Sequence, residues 1–150
     1  MFGRKRSPSL TPLMHPEDWP ARSGKARVLI ENPDRADLWA HADLLRKAGY
    51  DVAMCGGPTD ESAEGQERTV CPLVAHGHCP LVDGADVVVS TTALTDGPEI
   101  HARLSAGSAP GLVVEGTASE LGHEGNAVEI ALPVLPAQLV DAVERARPNP

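Results

Sequence analysis

The feature that most limits what this chain can fold into is a succession of short β-branched runs set between stretches of helical periodicity. Residues 27–31 (RVLIE), 85–90 (ADVVVS), 111–116 (GLVVEG) and 127–132 (AVEIAL) are nearly continuous apolar text, which suits strands buried on both faces of a sheet. A shorter run, 51–54 (DVAM), completes a set of five. Between the first two strands, Asp34 is placed to cap a helix over 35–48. Asp37 follows three residues on, Leu38, Ala42 and Leu45 recur on one face, and Gly49 supplies the stop. Pro98 to Ala106 and Pro136 to Arg147 also read as helices. The second has Pro in its first turn and Leu139, Val140, Val143 and Ala146 on its inner face, and only a short helix near Ala118 to Leu121 fits between the last two strands. Strands that alternate with helices make a parallel sheet with crossover helices, an α/β fold.

Two segments depart from that rhythm. Residues 1–25 carry Pro8, Pro12, Pro16 and Pro20 without apolar periodicity and read as a flexible basic arm, leaving 26–147 as the domain and 148–150 as a tail. The arm holds five basic residues against two acidic ones, whereas the rest of the chain holds eight against 19, a marked asymmetry. Residues 56–84 stand where the second crossover helix is expected and read mostly as loop.

The 150 residues suit one compact domain, and the net charge of −8 argues against a nucleic-acid footprint or an anionic membrane surface. No apolar stretch approaches the roughly 20 residues that cross a bilayer, and the N-terminus lacks an apolar signal region, so a cytoplasmic protein is expected. The chain shows no Gly-x-Ser-x-Gly elbow, no phosphate-binding Walker loop and no Gly-x-Gly-x-x-Gly after the first strand, so no enzyme activity is expected.

The order of elements and four local texts resemble the receiver domain of bacterial response regulators, over about residues 26–147. Residues 34–39 (DRADLW) with 44–52 (LLRKAGYDV) look like the first receiver helix and its run into strand two, and 85–91 like the strand that ends in the phosphoacceptor. Thr117 and Ala118 look like the switch hydroxyl and its small neighbour, and 132–143 like the Lys-Pro loop leading into the last helix. The resemblance implies a flavodoxin-like five-stranded parallel sheet, order 2-1-3-4-5, with flanking helices. It also implies a pocket at the carboxyl ends of the strands, which here falls on Glu31, Asn32, Asp34, Ser90, Thr91, Thr117, Leu132 and Pro133.

That pocket departs from receiver chemistry, which needs an Asp nucleophile, an acidic pair for Mg²⁺ and a Lys to meet the phosphoryl oxygen. The acceptor position holds Thr91, or Ser90 one residue earlier, and neither hydroxyl forms an acyl phosphate. The Lys position is Leu132, and Pro133 beside it is expected to keep the cis bond of that loop. The expectation is a pseudo-receiver that has lost phosphoryl transfer and binds a protein partner, or a second copy, through the face of helix four, strand five and helix five. Gly122 to Gln138, Asp141, Arg145 and Arg147 would supply that face.

Two alternatives stay open. Cys71, His76, His78 and Cys79 crowd into nine residues, with Cys55 at the end of strand two, and could hold Zn²⁺ or form a Cys71–Cys79 redox pair. Their spacing matches no standard zinc motif, so no cofactor is the primary expectation. Ser90, Thr91 and Thr117 could instead line a small-ligand pocket where open α/β sheets bind ligands. His41 and His101 are placed on helices as surface or internally satisfied residues.

Overall fold

The computed structural model describes residues 13–14, 16, 18–32, 34–55, 78–91, 111–117 and 127–148. The expected helices at 98–106 and 118–121, and most of 56–84, lie outside them. Five strands form the body: β2 (Arg27–Glu31), β3 (Asp51–Cys55), β4 (Val87–Ser90), β5 (Gly111–Gly116) and β6 (Val128–Ala131). All pair in parallel in the order β3-β2-β4-β5-β6, which is the 2-1-3-4-5 flavodoxin-like arrangement. Helix α1 (Arg35–Lys47) links β2 to β3, α2 (Pro80–Gly84) precedes β4, and α3 (Pro136–Ala146) follows β6.

Local chemistry sets these boundaries. The Asp34 carboxylate accepts the Asp37 N–H at 3.1 Å and so satisfies one orphan donor of the first turn of α1. At the other end Gly49 adopts φ +106, so its N–H reaches the Arg46 carbonyl while the Tyr50 N–H reaches that of Leu45. This left-handed turn closes the helix and drops Tyr50 into the core beside Leu45. The Leu132–Pro133 peptide is cis, and α3 starts with Pro136 while the Gln138 side chain accepts the Leu135 N–H.

Strand alternation divides the core. Val28, Ile30, Val87, Val89 and Val113 face α1 and α3, meeting Leu38, Ala42, Leu45, Leu139 and Val143. Leu29, Val88, Leu112 and Val114 face the other way and meet Leu81 and Val82 of α2. Both faces are buried, which is why these strands read as continuous apolar text.

The structure corrects one expectation and adds a detail to another. The segment 1–25 is not a free arm in its second half: Leu13–Met14 form a two-residue edge strand, β1, parallel to β3, and the chain beyond it is clamped to the body. The Trp19 indole N–H donates to the Leu81 carbonyl at 2.9 Å, its ring lies 5.3 Å from the Arg27 guanidinium, and Gly84 makes room for it. A Cβ on Gly84 would stand 2.7 Å from Trp19 Cδ1. The prolines exclude a helix but leave an extended chain able to lie along a sheet edge. The stretch 56–84, read mostly as loop, ends in α2, whose single turn contributes two buried side chains to the core.

Candidate functional site

The chain places its buried polar residues at the carboxyl ends of β2, β4 and β5. Glu31, Asn32, Ser90 and Glu115 are the buried polar or charged residues among those described. Glu31 and Ser90 stand opposite each other in register, on the face shared with Leu29 and Val88, and the Ser90 hydroxyl donates to Glu31 Oε1 at 2.7 Å. The Asn32 side-chain oxygen accepts the Asp34 N–H at 2.8 Å, a turn that aims the chain into α1. Thr91 follows with its N–H on the Glu31 carbonyl at 3.3 Å and its hydroxyl oxygen buried without a hydrogen-bond partner. Thr117 and Leu132 lie at the rim, both exposed.

On the opposite face, which the sequence reading had not singled out, Glu115 stands next to Val114 and is 4% exposed. Its Oε2 lies 3.5 Å from Nδ1 of His41 on α1, and neither atom makes a hydrogen bond. Burial pushes the Glu115 carboxyl up to about 7, and the nearby charges of Asp37 and Glu31 push the same way. Burial lowers the His41 imidazole, against the opposing pull of Asp37. His41 is therefore neither a surface residue nor an internally satisfied one, which corrects its placement from the sequence. A carboxylate inside an otherwise apolar strand was the available signal, because a central parallel strand buries both faces.

The sequence-derived pocket thus comes together in part. Glu31, Asn32, Ser90 and Thr91 converge, whereas Asp34 is spent as a helix cap. Among the described residues Glu31 accepts from the Ser90 hydroxyl, the Asn32 side-chain oxygen accepts from the backbone, and Ser90 and Thr91 bring hydroxyls to the end of β4. Leu132, 49% exposed, offers no charge for a phosphoryl oxygen. Cys55 and Cys79 are half-buried thiols packed against the α2-face core, and exposed His78 approaches Asp83 at 3.8 Å. Cys71 and His76 lie outside the described residues. Among the described residues no three His, Cys, Asp or Glu side chains converge as a metal site, and no helix is long and apolar enough to cross a membrane.

No protein-family model matches the chain, and no curated protein matches it. Solved structures do. A response regulator receiver domain protein from Bacillus halodurans superimposes with a TM-score of 0.59 at 13% identity, covering 83% of this chain and 99% of the other. A signal receiver domain from Bermanella marisrubri gives 0.56 at 15% identity, covering 80% and 96%. A receiver domain protein from Clostridium thermocellum gives 0.55 at 15%, covering 81% and 93%. The fold is that of response regulator receiver domains.

Proposed function

We propose that this chain is a pseudo-receiver: a cytoplasmic regulatory module of bacterial signalling that works without phosphorylation and acts through protein contacts. The observation that carries the reading is the state of the acceptor position. Ser90 is buried and bonded to Glu31, Thr91 follows it, and the position that would neutralise an incoming phosphoryl group is Leu132. An acyl phosphate needs a carboxylate nucleophile and a cation against the phosphoryl oxygens, and among the described residues Ser90, Thr91 and Leu132 stand where the resemblance would place them. A receiver scaffold kept without that chemistry retains its surfaces. The β6–α3 side offers exposed Leu132 and Leu135 beside the Asp141–Arg145 pair, an apolar spot with a charged margin suited to a protein partner or a second copy.

Intact-mass measurement after incubation with acetyl phosphate and Mg²⁺ tests this. The wild-type chain stays unmodified, and so does Thr91→Asp while Leu132 remains. Stoichiometric phosphorylation of the wild-type chain would overturn the reading.

A further inference from the structure

Three side-chain polar atoms of the described residues are buried without a hydrogen-bond partner: His41 Nδ1, Thr91 Oγ1 and Glu115 Oε2. All three belong to one side of the sheet at its carboxyl end. Val89 pairs with Val113 and both face α1, so Thr91 and Glu115, two residues further along each strand, turn the same way. α1 packs chiefly over β3 and β2, and β4 separates these from β5, so His41 meets Glu115 across the end of β4. Buried polar groups are nearly always matched, and three unmatched ones on one face mark a place that packing alone does not explain.

The charged neighbours are acidic. Asp37 lies one turn before His41 on α1, and Glu31 ends β2. β4 brings the neutral hydroxyl of Thr91, β6 brings Ile130 in register with Glu115, and α3 begins Pro-Ala-Gln-Leu without charge. Asp37 and Glu31 both disfavour an ionised Glu115, which lies too deep for water to screen them. A protonated Glu115 escapes that repulsion. Its O–H faces Nδ1 of His41 at 3.5 Å, an acceptor in one tautomer of the neutral ring. Burial keeps the imidazole neutral below its ordinary 6.5 and keeps the carboxyl protonated up to about 7, so the pair carries one proton just below neutrality.

We propose that Glu115 and His41 form a proton-operated catch, which ties β5 to α1 while one proton is shared between them and slackens when that proton leaves. Loss of the proton turns a bond between two elements into a buried anion held against Asp37 of the same helix, so α1 opens more readily as pH rises. One buried contact thereby sets the freedom of a whole helix. The catch does not depend on whether the chain takes a phosphoryl group.

The test uses the full chain and two readouts. In an NMR titration from pH 5 to 9, the His41 ring nitrogens are expected to respond at the Glu115 midpoint as well as at their own, and Glu115→Gln is expected to erase the first response. Amide exchange, corrected for its intrinsic pH dependence, is expected to accelerate roughly twofold or more between pH 6 and 8 over Trp39 to Leu45 of α1. It should not accelerate in α2, whose opening leaves the pair intact. In Glu115→Gln the acceleration in α1 disappears. The proposal is overturned if His41 shows no response at the Glu115 midpoint, if α1 exchanges alike at both pH values, if α1 and α2 accelerate equally, or if Glu115→Gln keeps the acceleration.

Discussion

The two ends of the sheet are built on opposite terms. At the amino end polar groups are matched and backbones approach closely: Asp86 takes three donors, the Trp19 indole is bonded, and glycines stand where other elements press against the chain. At the carboxyl end the fold tolerates what it ordinarily excludes, a buried carboxyl without a hydrogen bond at Glu115 Oε2, facing an equally unpartnered imidazole nitrogen. The amino end is organised for stability, and the carboxyl end keeps polar groups that stability does not require.

Four substitutions probe that contrast. The largest effect is expected at the amino end, for Gly111→Ala. A Cβ there would overlap the Ala146 carbonyl oxygen, which is backbone and cannot rotate away. Either β5 or the end of α3 must move, at a cost of about 3 kcal/mol or more. Urea unfolding measures it, and a loss under about 1 kcal/mol would show that the strand and the helix are not locked together.

The next effect has the opposite sign and belongs to the carboxyl end. The Glu115 carboxyl rises from its ordinary 4.5 to about 7, so the folded chain holds this proton more tightly than the unfolded one. The resulting stability is complete below pH about 4.5, declines as pH rises, and is gone above about 7. Glu115→Gln removes that slope and is expected to stabilise the protein by about 2–3 kcal/mol at pH 8 relative to its effect at pH 4.5. His41, lowered by burial, works the other way, losing stability as pH falls below its ordinary 6.5. Its dependence should emerge alone in the variant. Parallel stability curves for wild type and Glu115→Gln between pH 4.5 and 8 would mean that the carboxyl is solvated.

How far the sequence reveals each end follows from the same contrast. The strands and α1 can be read from local text, because Val-Val-Val at 87–89 and the Asp34 cap carry their reasons within a few residues. Ser90 and Thr91 fall where the strand text ends, so their place in the pocket is also readable. The Glu115–His41 contact is not, since it arises only when α1 packs across β5, two elements far apart in the chain. Nor is β1, where two residues between prolines carry no periodicity and gain their structure from the open edge of β3. The Trp19 seat needs Gly84, Leu81 and Arg27 brought together by the fold.

That seat gives the third test. Trp19→Ala removes a half-buried indole, its hydrogen bond to Leu81 and its contact with the Arg27 guanidinium. A fully buried Trp→Ala costs about 3–5 kcal/mol, so a partly exposed one at a chain end should cost about 2 kcal/mol. The loss should be local. Hydrogen exchange should accelerate along β3 and α2 before it does in β5 and β6, whereas uniform acceleration would show that the clamped segment belongs to the cooperative core.

The smallest effect is expected for Ser90→Ala. Ser90 is 1% exposed and its hydroxyl donates to Glu31 Oε1, so the substitution withdraws one donor from a buried carboxylate and leaves a gap of one oxygen atom. A hydrogen bond to a charged group contributes about 1.5–3 kcal/mol, and Ala recovers part of that because no hydroxyl remains to be desolvated. A net loss of about 1 kcal/mol follows. Urea unfolding at pH 7 measures it. A loss indistinguishable from zero would show that the Ser90 hydroxyl adds nothing to the stability of this end of the sheet.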